Sequence, residues 1–183
     1  THSVSITLTG AVVIADGVSV TLDSNGGGTD GAISLSSTLA GNVGAGSEKI
    51  SFDSGGMTTS VTGAVGPDIN TLTVTDSSGT TFSSTVSATT VALTNTTGTI
   101  QFNGDLTATD LTAAANAYAV SLLGSTNTVT NAVTFNNTGT LTIGDGSDST
   151  TFVAGVTATA PSSINVAGTI AATTGASAIT LGD

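Results

Sequence analysis

Short runs of period-two alternation recur along the whole chain, and each is cut off within a few residues by a turn. Val4-Ser-Ile6-Thr-Leu8, Val18-Ser-Val20-Thr-Leu22, Leu72-Thr-Val74, Val133-Thr-Phe135 and Leu141-Thr-Ile143 put apolar side chains on one side and Ser or Thr on the other. Successive side chains of a strand point to opposite faces, so this pattern calls for strands with one buried face. β-Branched Thr suits the outward positions of a pleated surface. Between the runs stand Asp23-Ser-Asn-Gly-Gly-Gly28, Asp53-Ser-Gly-Gly56, Asp76-Ser-Ser-Gly79, Asn136-Asn-Thr-Gly139 and Gly144-Asp-Gly-Ser-Asp148. These residues tolerate positive φ or bond back to their own backbone, as turns require. An all-β chain of many short strands is predicted.

An internal echo narrows the architecture. Residues 71–100 align with 140–170: Thr71-Leu-Thr-Val-Thr-Asp76 matches Thr140-Leu-Thr-Ile-Gly-Asp145, Phe82 matches Phe152, and Gly98-Thr-Ile100 matches Gly168-Thr-Ile170. The offset of 69 to 70 residues predicts three coils of roughly 23 residues, within the range of solenoid repeats. Ile50-Ser-Phe52-Asp53 and Leu72-Thr-Val74-Thr-Asp76 end 23 residues apart, as do two neighbouring coils on that count. Stacked coils bury one continuous narrow core that no single coil can form. A single β-solenoid over residues 1–183, or a segment of a longer array, is therefore expected, with Leu72, Phe82, Leu141 and Phe152 stacked along one axis. The alternative is a β-sandwich with hairpin connections. Ala-rich residues 112–123 suit either two helical turns or a strand, since Tyr118-Ala-Val120-Ser-Leu122 alternates.

Composition excludes several functions. The 183 residues carry one Lys (Lys49), no Arg, no Cys and 12 acidic side chains, a net charge of −11, yet only 7% are charged. The 39 Thr and 23 Ser supply most of the polarity. Nucleic-acid binding and attraction to anionic lipid both need clustered cations. Disulfides and Cys-based zinc sites need Cys, and no apolar run reaches the roughly 18 residues of a membrane helix. No partner nucleic acid and no membrane insertion are expected. In a stack, equivalent positions repeat every ~4.8 Å, so low charge avoids ladders of like charge. With one Lys in the whole chain, trypsin-like proteases find a single cleavage site, which suits an extracellular or cell-surface setting.

Candidate chemistry is sparse. His2 lies near the terminus without a neighbouring acid, and Glu48 with Lys49 suggests a surface pair on a loop. Asp105 with Asp110 and Asp145 with Asp148 offer the paired carboxylates a glycosidase uses, but each sits in a turn context where Asp bonds to the backbone, so no catalytic residue and no enzyme is assigned. Hard cations take several oxygen ligands. Asp23, Asp30, Asp145 and Asp148 are the calcium candidates, without an EF-hand spacing or a β-roll nonapeptide. No other cofactor is called for. Thr7/Thr9, Thr71/Thr73/Thr75, Thr126/Thr128/Thr130 and Thr138/Thr140/Thr142 are not spaced by one coil and are not expected to form one flat rank. Asn95 and Asn136 head Asn-x-Thr sequons.

The phrases "GTLTIGDGSDSTTFVAGVTAT" and "NTTGTIQFNGDLTAT" resemble the β-strand-repeat regions of large bacterial surface proteins. They are similar to autotransporter passengers and filamentous-haemagglutinin-type adhesins, best over residues 70–183. The resemblance implies an extracellular right-handed parallel β-helix acting as stalk, adhesin or matrix fibre, with surface glycans as possible ligands and no catalytic residues to transfer. Strand-like residues at both ends (Val4, Ile6 and Leu8; Ile179 and Leu181) predict uncapped edges that pair with a neighbour. Self-association into filaments or arrays follows. The alternatives are a pilin-like sandwich subunit that donates its N-terminal strand and a polysaccharide-binding or -cleaving β-helix.

Overall fold

The computed structural model describes residues 4–26, 29–44, 46–175 and 177–182. Among them are 21 strands and no helix, and every strand pairing is parallel. Hairpins would give antiparallel pairs, so the sandwich alternative is overturned and the chain is a β-solenoid.

The coil has three faces. The first stacks Ile6–Leu8, Ile33–Leu35, Thr58–Val61, Gly79–Phe82, Thr99–Phe102, Ala119–Leu122, Thr140–Ile143 and Ser163–Val166. The second begins with Val12–Ile14 and Leu39–Gly41 and ends with Thr126–Val129, Ser149–Phe152 and Thr169–Ala171. The third begins with Ser19–Asp23 and Glu48–Asp53 and ends with Val133–Thr134, Val156–Ala158 and Ile179–Leu181. Between these sets, the long strands Val65–Asp76, Val86–Leu93 and Leu106–Ala113 bend across the corner and serve both faces. A bridge from Ala113 to Phe135 carries the third face across its one gap. Each face thus has eight levels.

Inward residues form columns. On the third face Leu22, Phe52, Val74, Leu93 and Ala113 stand one above another, followed by Phe135, Ala158 and Leu181. Phe135 sits between two alanines, so large and small alternate where the core is narrow. The rings of Phe52 and Phe82 meet edge-on across the core at 6.2 Å, and those of Phe135 and Phe152 at 6.1 Å. All of these Phe side chains are fully buried. At roughly 25 cal/mol per Å² of apolar surface removed from water, such columns are the main source of stability. Ser and Thr take the outward places, as the alternation requires.

Coil length departs from a constant 23. First-face partners Ile6 and Ile33, and then Ile33 and Thr59, lie 27 and 26 residues apart, whereas Thr80, Ile100 and Val120 follow at 20. The average is about 22. The first two coils leave the corner between second and third faces by loops; the next three cross it within one bent strand, which takes fewer residues.

The 70-residue echo is therefore not three coils. Thr80 and Leu141 share a column three coils apart, and 61 residues separate them. The echo pairs third-face Leu72 with first-face Leu141, and first-face Phe82 with second-face Phe152, so the four do not lie on one axis. All three faces ask for the same strand–turn–strand pattern, and likeness between runs does not say which face a run occupies. The shorter echo is a true coil repeat: Ile50 pairs with Leu72, Phe52 with Val74 and Asp53 with Asp76. Residues 112–123 contain no helix; they end one strand at Ala113 and form the next at Ala119–Leu122. Tyr118 between them is buried, its hydroxyl donating to the Leu93 carbonyl at 2.8 Å.

Candidate functional site: the open ends and the polar corners

Each end of the described solenoid exposes the core in cross-section. Ile6, Leu8, Val12, Val20 and Leu22 in the first coil pack against the core but are only partly buried, as are Ile164, Ile170 and Leu181 in the last. Their column mates inside the stack, such as Ile33, Leu35, Leu141 and Ala158, are 0–1% exposed. Val4 is 64% exposed, Val166 55% and Ile179 41%. At the last coil, Pro161, Ile164, Val166 and Leu181 line a bowl of about 420 Å³. The sequence-predicted interface residues are thus divided between the two ends, three at one and two at the other, and every face presents an unpaired strand edge there. His2 lies outside the described residues.

The corner from third to first face carries a polar ladder. Asp23-Ser24, Asp53-Ser54, Asp76-Ser77 and Asn95-Thr96 occupy successive levels. The second member points inward: Ser24, Ser54, Ser77 and Thr96 are all buried. Ser54 Oγ lies 3.0 Å from Thr59 Oγ1, and Ser77 Oγ lies 3.0 Å from both Thr80 Oγ1 and Thr96 Oγ1. Thr96 Oγ1 donates to the Ser77 carbonyl at 2.7 Å. Buried hydroxyls need such partners: Ser24 and Ser54 find theirs a few residues on along the chain, and Ser77 is bonded to the next coil as well, through Thr96. The first member stays outside, so Asp23, Asp53 and Asp76 stack in register. This corrects the expectation that a low-charge chain avoids like-charge ladders altogether. Asn25 and Asn95 each donate to one of these carboxylates, Asp53 at 3.5 Å and Asp76 at 3.0 Å.

The calcium candidates fall in two separate places. Asp23 Oδ1 accepts the Asn25 backbone N–H at 2.9 Å, and Asp30 Oδ2 accepts that of Gly56 at 2.6 Å, both beside the polar ladder. Asp148 Oδ2 accepts the Asp145 backbone N–H at 2.7 Å, at the turn from Ile143 to Ser149 on the first-to-second corner. Among the described residues no three His, Cys, Asp or Glu side chains gather as a metal-binding group. Of the carboxylate pairs, Asp105/Asp110 is engaged with the neighbouring coil, Asp105 accepting the Thr126 N–H at 2.9 Å and Asp110 the Asn131 amide at 2.7 Å. Of the sequons, Asn136 is exposed, whereas Asn95 is half-buried and its amide is the one bonded to Asp76.

Two features were not legible in the sequence. The bend of the long strands forms an open groove of about 310 Å³, lined by Ser87, Thr89, Thr107, Thr109 and Thr130 with Asp68 at one end. And Glu48, expected on a surface loop, opens the strand Glu48–Asp53 with its side chain fully buried. Alternation is the reason: Ile50 and Phe52 face the core, so Glu48 must as well, and Lys49 faces out. Of the Thr runs singled out above, Thr7 and Thr140/Thr142 lie on the first face at its first and seventh levels, Thr71/Thr73/Thr75 on the third face and Thr126/Thr128 on the second, so they form no single rank; a rank does form on the third face. Thr21, Ser51, Thr73, Ala92 and Thr112 are in register, and so are Thr134, Thr157 and Thr180.

Comparison with known proteins gives no match, whether to family models, to curated proteins or to solved structures.

Proposed function

We propose that this chain is a non-enzymatic structural element, a β-solenoid that stacks end to end on further copies of itself at a cell surface or in an extracellular matrix. The observation that carries the reading is the pair of terminal coils of the described residues, whose partly buried apolar side chains and strand edges can each take a further coil. A parallel stack presents one kind of edge throughout, so the edge above Ser163–Val166, Thr169–Ala171 and Ile179–Leu181 suits any coil of the same three-faced outline. The first coil has that outline and presents the matching underside. Such a contact joins head to tail and does not close on itself, which makes filaments rather than rings. The likeness to bacterial surface-protein repeats and the presence of a single trypsin-type cleavage site support the extracellular setting.

Light scattering and negative-stain imaging across a concentration series test the reading. Filaments of constant width are expected, and deletion of residues 1–9 or the double change Ile164→Asp with Leu181→Asp should leave a folded monomer. A parent chain that stays monomeric at every concentration sinks the proposal.

The groove at the strand bend favours a second reading, a polysaccharide-binding surface, because its hydroxyls and Asp68 match the hydrogen-bonding of sugar hydroxyls. Unchanged oligosaccharide binding after Thr107→Val with Thr109→Val would dismiss it.

A further inference from the structure

The chain holds two Asn-Gly pairs, Asn25-Gly26 and Asn103-Gly104. At such a pair the glycine nitrogen can attack the preceding side-chain amide, because no Cβ screens it and the backbone turns freely there. Residue order makes the two pairs equivalent; the fold separates them. Asn103 directly follows the strand Thr99–Phe102. Its N–H donates to the Phe82 carbonyl at 2.8 Å, and its Oδ1 accepts the Gln101 amide at 2.6 Å. Gly104 is packed on the coil below, where a Cβ would collide with the backbone of Ser84 and Thr85. Closing a ring at Asn103 means lifting that backbone off its neighbour.

Asn25 and Gly26 are both exposed. The space around Gly26 is open, with nothing within 4 Å of a Cβ placed there. The Asn25 N–H donates to a side chain, Asp23 Oδ1 at 2.9 Å, and its amide reaches Asp53 Oδ1 at 3.5 Å. The Asn25 amide carbon and the Asp30 carboxylate both lie against Gly55. A neutral amide thus stands among three carboxylates, two of which, Asp23 and Asp53, already face each other in register.

We propose that Asn25-Gly26 is a self-modification site, converted without an enzyme to aspartate and isoaspartate, while the stack keeps Asn103 intact. The Gly26 nitrogen gives its proton to solvent and bonds to Asn25 Cγ. The Cγ–Nδ2 bond breaks and ammonia leaves with a proton from solvent, closing a five-membered succinimide. Water then adds to one of the two ring carbonyls. Breaking the new Cγ–N bond leaves aspartate; breaking the original peptide C–N bond leaves isoaspartate, with the main chain rerouted through the side chain. Either product loses the amide that donates to Asp53 and sets a fourth negative charge beside the other three. Like charges facing each other across strands are destabilising, so conversion loosens the tie between the first and second coils. The site is independent of end-to-end assembly.

Lys49 is the single Lys or Arg and is exposed, so one tryptic cut divides the two sites, Asn25 on residues 1–49 and Asn103 on residues 50–183. The folded full chain is held at mildly alkaline pH beside a sample in urea, and the tryptic fragments are weighed over time, with heavy-oxygen water marking the new carboxylate. In the folded chain, residues 1–49 should gain the mass that exchanging NH2 for OH adds. Residues 50–183 should lag by about tenfold or more, because displacing a close-packed backbone is costly. In urea both fragments should convert alike. Asn25→Gln should abolish the gain on residues 1–49, and Gly26→Ala should slow it. Asn25→Asp should lower the unfolding midpoint at low ionic strength, with the difference shrinking in 1 M salt. Equal rates for the two fragments of the folded chain overturn the proposal, as does a gain that survives Asn25→Gln. So does an unchanged mass of residues 1–49 over the time in which the urea sample converts, or an unchanged midpoint in Asn25→Asp.

Discussion

The ring of Phe82 stacks on that of Phe102 one coil above it, with centroids 4.9 Å apart and planes inclined by 11°. That separation is nearly the strand spacing of a sheet, so identical residues at equivalent positions of adjacent coils stack by construction. Both side chains are fully buried in the first-face column. Phe102→Ala removes one ring of the pair and leaves a cavity that flanking coils cannot fill by collapsing. A loss of about 3–5 kcal/mol is expected, read by chemical denaturation. Phe102→Leu should recover most of it.

Ser77 links Thr80 and Thr96 within a region where no hydroxyl reaches water. Ser77→Ala leaves those partners short of a hydrogen bond, at a cost of about 1–3 kcal/mol. The change of Thr96 to Val should show a loss of similar size, and the double variant should lose less than the two combined, because they share one network.

Asp53 lies between Asp23 and Asp76 in the outward column of the same corner. Like charges directly opposite one another destabilise a sheet. Asp53→Asn should raise the unfolding midpoint at low ionic strength by an amount equivalent to roughly 0.3–1 kcal/mol, and the gain should shrink toward zero in 1 M salt as screening takes over. A gain that does not respond to salt would mean the stack is not electrostatically strained.

Tyr118 is the only tyrosine, and the chain has no Trp, so tyrosinate absorbance reports on it alone. Burial pushes its phenol from 10 up to about 12, against a smaller opposing effect of a backbone hydrogen bond with Ala114. The folded form thus holds its proton where the unfolded chain releases it. Its contribution to stability is complete below about pH 10 and is lost as pH rises through about 12. Absorbance should titrate with a midpoint near 12 in the native state and near 10 in denaturant.

Gly98 runs close over the coil below: a Cβ there would collide with the Ser78 carbonyl oxygen. Gly98→Ala forces the corner apart and should cost about 1–3 kcal/mol, as overpacking does. By contrast Gly146→Ala, at a position with open space around it, should change stability by less than about 0.5 kcal/mol.

The alternation of Tyr118, Val120 and Leu122, and the in-register pairing of Ile50-Ser-Phe52 with Leu72-Thr-Val74, were both legible from residue order because period two is a local property of extended backbone. The polar ladder was visible only in pieces. Asp23-Ser, Asp53-Ser and Asp76-Ser look like independent turns until the coils place them one above another. Glu48 was misread for a different reason. Its neighbour Lys49 suggested a surface pair, whereas the phase of Ile50 and Phe52 on the same strand sends it inward.

Sequence alone thus determined the all-β class, the inward and outward positions of most strands and the solenoid principle. These follow from local geometry and from composition. The tertiary structure decided which of three faces each run occupies, how many residues each coil takes, and which polar groups meet. Faces share one alternation, so their assignment depends on how tightly each corner turns, and that is set by loops, bulges and close glycine contacts between coils. The open ends, the groove and the enclosed Glu48 exist only once the coils are stacked.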